Sequence, residues 1–366
     1  MASIDVKRFV DINIQYKQLS KVTSTRDTVI LFSSDLPSTF EDTTYSTYQD
    51  YLDSDFAKGS SSKTVTAYVK IFFDNGGNKI RLKYVASKDN LNNEILSLND
   101  EYIIVAYAFA DTVTDNNFSI MKNIADTRDT NPKIYGINQK ILLSRTTLSS
   151  NSALTTNNFA IKYSQILGAE MTIAAYLSNI NVYEVNSVQD YAFTKEIITQ
   201  EPNNEETLNS CMNNNLNVDM KLSNAIRNLG GNLSNGKDLV NQYVLIIMHQ
   251  TLTERVLNVL SQKIKGNQGI AALYSTISEE LNNYVNCGYL SIDKIWQDNN
   301  LTVDKNNNTY TIIEKGTALN TGYKITILPF SSLTETEKQN RQAPLIYIII
   351  ADSYGIRKVT INGEVI

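Results

Sequence analysis

Histidine is nearly absent from this chain: His249 is the single one in 366 residues. One histidine excludes a zinc site with two or more histidine ligands. No Ser-His-Asp triad is legible around it either, and between Met248 and Gln250 it reads as a packed helix histidine. Cysteine is almost as scarce. Cys211 and Cys287 stand far apart, without metal-ligand company or the local context of a nucleophile, and read as two reduced, buried thiols. Long apolar runs are missing. The longest, around Val244–Met248 and Leu345–Ala351, fall far short of a membrane span, so no membrane insertion is expected. The opening MASIDVKRF has no apolar core of a secretory signal. Charge is low too, at 19% with a net −5, and Lys and Arg are scattered. The basic face that a direct nucleic-acid reader needs is therefore absent.

What is present is a globular balance. Apolar residues make up 42%, and 366 residues exceed what one hydrophobic core usually serves. Strand runs recur: Thr28–Ser33 (TVILFS) and Tyr102–Phe109 (YIIVAYAF) read as buried strands, Lys79–Val85 (KIRLKYV) alternates as a strand, and Ile141–Leu143 and Phe159–Tyr163 continue the series. Between them lie helical patterns: a short one around Tyr48–Phe56, Lys63–Asp74 with its C-cap signal Asn75-Gly76-Gly77, Phe118–Asp126 and Ala169–Leu177. Strand and helix in alternation predict an α/β layer with parallel neighbours.

The stretch Glu201–Asn217 is polar and Asn-rich and reads as a boundary or long loop, and Met220–Leu229 reads as helical. Beyond it, Asp238–Ile264 and a second segment from Ile270 to Tyr284 predict two long amphipathic helices folded as a hairpin. Strands follow at Tyr310–Ile313, Tyr323–Pro329 and Leu345–Ala351. The fold class is α/β (α+β overall): a layered α/β domain and a C-terminal α/β core. The expected division is a β arm at 1–20, an α/β domain at 21–200, a core domain at 201–352 and a second β arm at 353–366.

Both ends carry strand patterns. Ile4, Val6, Val10, Ile12, Ile14 and Tyr16 share one parity at the start. At the end, Val359, Ile361 and Val365 alternate with polar residues, after a turn where Gly355 can supply φ > 0. Sticky terminal strands need a partner edge. The alternatives are an edge of the chain's own sheet and an edge of a second copy, by β-augmentation.

Candidate chemistry is thin. Gly231-Asn232-Leu233-Ser234-Asn235-Gly236-Lys237-Asp238 has the spacing of a P-loop. Asp238, however, would set a carboxylate against phosphate where a hydroxyl should hold Mg²⁺. The competing reading is a Gly/Asn turn with Asp238 at a helix N-terminus. Glu205-Glu206, Glu279-Glu280 and Asp50/Asp53/Asp55 read as solvated carboxylates. Arg255, Lys263 and Lys265 form a mildly basic face, read either as solvated or as a docking strip for an acidic partner. No cofactor and no catalytic residue are expected.

The order of these pieces resembles the contractile tail sheath proteins of bacteriophages and related injection machines. The resemblance rests on TVILFS, a polar segment, the helix ending in Phe72-Phe73-Asp74-Asn75-Gly76-Gly77, KIRLKYV, the hairpin with Gly266 and Gly269, Gly288-Tyr289-Leu290 and the closing IRKVTINGEVI. It implies a non-enzymatic structural subunit of a helical sheath of stacked hexamers around a tail tube. Assembly would occur in the host cytoplasm and the product would be part of the virion. Implied partners are further copies of the chain, the tube protein, and the baseplate and tail terminator proteins. The sheath would contract on a baseplate trigger and drive the tube through the host envelope during genome ejection. The resemblance further implies that terminal arms add strands to neighbouring subunits. It assigns Ile4, Val6, Val10, Ile12, Ile14 and Tyr16 to one arm and Arg357, Val359, Ile361 and Val365 to the other. Gly355 becomes the hinge, and Arg255, Lys263 and Lys265 become candidate tube-facing residues.

The alternative is a soluble α/β nucleotide-binding protein or enzyme using Gly231–Asp238. A tail-tube protein fits less well, because tube proteins are small and all-β. Titration of nucleotide into the wild type and Lys237→Ala separates the first two readings. The sheath reading expects no binding that depends on Lys237, and clear Lys237-dependent binding would overturn it.

Overall fold

The computed structural model describes residues 13–14, 27–59, 63–98, 102–108, 116–130, 140–149, 158–198, 204–222, 224–262, 266–340 and 342–353. Among them an eight-stranded sheet forms the main body. Its strands are β1 (Thr28–Ser33), β2 (Thr43–Tyr45), β3 (Lys79–Tyr84), β4 (Ile104–Ala108), β5 (Ile141–Thr146), β6 (Phe159–Tyr163), β7 (Asn217–Leu222) and β8 (Ala225–Leu229). The spatial order is β2-β3-β1-β4-β5-β6-β7-β8. The pairings from β3 through β7 are all parallel, and β2 and β8 close the two edges antiparallel.

The apolar strand runs have a simple cause. Val29 and Leu31 of β1 enter one core while Ile30 and Phe32 enter another. Ile104 and Ala106 of β4 are likewise separated from Val105 and Tyr107. Both faces of the sheet are covered, so period-2 alternation disappears into continuous hydrophobic runs. The larger core takes in helices α1 (Lys63–Asp74) and α3 (Met171–Ser178), with α2 (Asn116–Thr130) on the opposite face. Helix α4 (Glu205–Asn213) joins α2 there through Leu208 and Cys211.

Helix α1 ends as its sequence requires. Gly77 N–H donates to Phe72 O at 2.9 Å and Gly76 N–H to Phe73 O at 3.0 Å. Gly76 stands at φ 79°, where only glycine is unstrained. Gly77 is needed for another reason: a Cβ there would lie 2.4 Å from Phe72 Cζ.

The long hairpin is α5 (Leu239–Ser261) and α6 (Gly266–Asn286). Asp238 caps α5, its side chain accepting from Asn241 N–H at 2.8 Å. After α6 come the hairpin β9 (Leu301–Lys305) and β10 (Asn308–Ile313), then β11 (Tyr323–Ile327) and β12 (Ile346–Ile350). Asn306 and Asn307 join β9 to β10 with φ of 52° and 63°, the two-residue turn whose twist matches the strands.

Three expectations need correction. Met220–Leu229 is not helical: it is most of the β7–β8 hairpin. The apolar alternation of β7 is obscured because Asp219 and Asn217 point into the protein. The polar stretch 201–217 is not one loop, for it contains α4, capped by Asn204 Oδ1, which accepts Thr207 N–H at 2.7 Å. Glu280 is not solvated but 1% exposed.

Two stability tests follow. Gly77→Ala should destabilise by about 1–3 kcal/mol through overpacking against Phe72, and Gly76→Ala by about 1 kcal/mol through its left-handed backbone. Urea denaturation midpoints should therefore rank wild type above Gly76→Ala above Gly77→Ala. Glu337 caps the short helix Glu335–Gln339 and accepts from Lys305 Nζ at 2.5 Å and from Thr334 N–H at 2.7 Å. The bonds from Lys305 and Thr334 hold its carboxyl down at about 2. Its stabilising contribution is thus complete above the ordinary value of 4.5 and fades as the pH falls towards 2. Glu337→Gln should reduce this acid-side loss in pH-dependent melting curves.

Candidate assembly surface

The run Leu345–Ile350 becomes the middle strand of a three-stranded sheet. Tyr347 and Ile349 face a small core with Ile312, Ile313, Leu319 and Leu328. Ile348 faces the large core, with Ile277, Leu281 and Tyr284 of α6. On one edge β11 pairs antiparallel, Tyr323 opposite Ile350 and Ile327 opposite Ile346. On the other edge Asn13 and Ile14 run parallel to Tyr347 and Ile348 in the same chain. Among the described residues, no strand covers the outer edge of β11.

The chain is fastened where it leaves β12. Ala351 N–H donates to Gly322 O at 2.9 Å, and Ala351 O accepts from Ser291 N–H at 2.7 Å. Ser353 N–H donates to Tyr289 O at 2.8 Å, and Ser353 O accepts from Asn241 Nδ2 at 2.9 Å. Lys294 holds Asp352 through its carbonyl oxygen. The turn after α6 and the first turn of α5 thus clamp residues 351–353 at the base of the helical hairpin. Tyr323 ties β11 to the same hairpin, its hydroxyl 2.7 Å from Ser278 Oγ and 2.9 Å from Asn282 Oδ1.

Of the arm residues, only Ile14 lies in the described part, and there only its backbone pairing with Ile348 is given. Ile4, Val6, Val10, Ile12, Tyr16, Gly355, Arg357, Val359, Ile361 and Val365 lie outside the described residues, as do Lys263 and Lys265. Arg255 is half-exposed, with Nε 3.3 Å from the buried Glu280 carboxylate. Tyr183 also donates to Glu280, at 3.3 Å.

The loop with P-loop spacing is filled by the protein itself. Asn217 Oδ1 accepts Gly231 N–H at 2.6 Å and Asn232 N–H at 3.2 Å. Its Nδ2 donates to Ile161 O and Asn232 O. Ser234 N–H is spent on Phe159 O at 2.8 Å. Backbone donors that would cradle a phosphate are occupied, and the loop serves as the lead-in to α5. His249 is buried within α5. Burial pushes the Cys211 thiol up to about 12 and raises that of Cys287, the reverse of what a thiolate nucleophile needs. Among the described residues, no group of three or more His, Cys, Asp or Glu side chains is placed to hold a metal ion, and no helix is long and apolar enough to cross a membrane.

One charged constellation escaped the sequence reading. Lys162 of β6 is fully buried, with Nζ 2.7 Å from Glu196 Oε2 and 2.7 Å from Asp219 Oδ1. Tyr191 OH and Asn228 Oδ1 lie at 3.3 and 3.4 Å from the same nitrogen. These residues are spread over 66 positions and carry no spacing signal; the parallel placement of β6 beside β7, the β7–β8 hairpin and the segment along β8 unite them.

No protein-family model matches the sequence, and no curated protein matches it. Solved structures match its fold. The PVC sheath complex of an extracellular contractile injection system, in the contracted state, aligns with a TM-score of 0.62 at 14% identity, over 100% of this chain and 98% of that one. The contracted helical sheath of the anti-feeding prophage aligns at 0.60 and 12%, over 97% and 99%. A sheath tail protein from Listeria innocua aligns at 0.51 and 8%, over 91% and 96%. At such identities the likeness is one of fold: this chain has the mixed α/β fold of the sheath proteins of contractile injection systems and phage-type tails.

Proposed function

We propose that this chain is a structural subunit of a contractile sheath. The observation that carries the reading is end-to-end likeness to sheath proteins, covering nearly all of both chains. The three-stranded sheet supports it from within. The β12 edge accepts a parallel strand at Tyr347 and Ile348, and β11 has no strand on its outer edge among the described residues. A segment from a neighbouring copy can satisfy the same backbone groups as the chain's own residues 13–14. Exchange of this kind is a heterologous contact, so it propagates into rings and helices instead of closing as a dimer.

In this reading Ile4–Tyr16 and Arg357–Val365 are the exchanged arms and Gly355 the joint between arm and body. The clamp at 351–353 would then transmit load from the C-terminal arm directly into α5 and α6. Contraction is repacking of rigid bodies between two discrete arrangements. The tail tube, along the Arg255 side of the hairpin, and the baseplate and terminator proteins are the further partners. The work done is mechanical and no catalytic step is assigned.

Deletion tests the arms. Full-length protein should polymerise into striated hollow tubes visible by negative-stain microscopy. Proteins lacking residues 1–17 or 356–366 should fold, by circular dichroism, yet remain as small species in sedimentation. Tubes formed equally well by both truncated proteins would defeat the arm-exchange proposal.

A further inference from the structure

The segment 189–197 lies along β8 and covers that edge of the main sheet. Phe193 N–H donates to Asn228 O at 2.7 Å, Asn228 N–H to Thr194 O at 3.0 Å and Glu196 N–H to Ile226 O at 3.0 Å. The segment is irregular. Phe193 stands at φ 66° and is 40% exposed, a backbone state that a bulky residue keeps only when its surroundings impose it.

The inner fastening is Glu196. Its carboxylate belongs to the segment, whereas Asp219 belongs to the sheet, and both close on Lys162 Nζ at 2.7 Å. The other groups facing this centre are the Thr172 hydroxyl from α3, the Asn228 amide from β8 and the Tyr191 phenol from the segment itself. Tyr191 donates to Glu196 and lies 3.1 Å from Thr172 Oγ1. Lys162, Glu196 and Asp219 are 0%, 5% and 1% exposed. One cation thus meets two carboxylates out of contact with water. With both carboxylates ionised, the centre holds an uncompensated negative charge, which burial strongly disfavours. One added proton makes it neutral.

We propose that residues 189–197 form a proton-dependent clasp, closed on the sheet edge while the Lys162–Glu196–Asp219 centre holds one proton shared by its carboxylates, and loosened when that proton leaves. Burial, reinforced by Glu196, pushes the Asp219 carboxyl well above its ordinary 3.8 despite the opposing pull of Lys162. Burial acts to lower Lys162, but the two carboxylates outweigh it and the lysine stays a cation. The sign follows. A carboxyl raised in the closed state favours closure at low pH, and that contribution is lost as the pH climbs from 3.8 through the raised value. Deprotonation then sets Glu196 and Asp219 against each other, and the mobile member of the pair is the one on the segment. A surface cleft of about 330 Å³ beside the centre is lined in part by Thr172, Tyr176, Tyr191 and Glu196.

The clasp is independent of the sheath proposal and stands or falls on the full-length chain by itself. Amide hydrogen exchange with mass spectrometry, corrected for intrinsic rates, reads it at Phe193, Glu196 and Asn228. Between about pH 5 and about pH 9, protection of these amides should fall about ten-fold or more, with a smaller change in β1 and β4. Asp219→Asn removes one of the two negative charges and should keep the segment protected at high pH. Glu196→Gln should do the same and serves if Asp219→Asn does not fold. Protection independent of pH in the wild type overturns the clasp, whether or not either variant folds. So does a pH profile unchanged in a folded Asp219→Asn or Glu196→Gln.

Discussion

The C-terminal half depends on satisfying the backbone of Ile346–Ile350. Tyr347 and Ile349 are buried in one core and Ile348 in another, so the strand is packed on both faces. A strand in that position needs hydrogen-bonding partners along both edges. β11 supplies five positions on one side, whereas residues 13–14 supply two on the other. The need for strand partners on this small sheet is what gives the chain termini their importance. It also explains why residues 351–353 are pinned so firmly to α5 and to the turn after α6: the last described turn is part of the same packed unit as the hairpin.

The far end of the main sheet is governed by polar side chains instead. Asn217 and Lys162 occupy interior positions on neighbouring strands. Asn217 uses its amide to organise the 230–232 loop, so a segment with the spacing of a phosphate cradle is shaped around an asparagine. Lys162 draws Glu196 inward and with it the segment that covers β8. Such groups contribute little net stability against an apolar alternative. What they do here is select one path for residues 189–197 and one route from β8 into α5.

Part of the fold was legible in the residues. TVILFS and FAIKY are strands covered on both faces of the sheet, KIRLKY buries Ile80 and Leu82 on one face only, and Lys63–Asp74 is a helix that ends at Asn75-Gly76-Gly77 as capping chemistry requires. Met220–Leu229 was illegible for the opposite reason. Asp219 and Asn228 look like surface residues until Lys162 is placed between them. Glu280 misled in the same way, since its partner Arg255 is on the other helix of the hairpin. The β9–β10 hairpin was half seen: Asn306 and Asn307 marked a loop, and their positive φ made it a tight turn.

By itself the sequence determined the elements whose pattern is local: the apolar strands, the capped helices and the long helical hairpin. Only the tertiary structure decided the strand order, the two-sided burial of Ile346–Ile350, the closure of the Gly231–Asp238 loop and the Lys162 centre. Each of those joins residues distant in the chain, and the polarity of a residue says nothing of whether a counter-charge or an amide will meet it inside the fold.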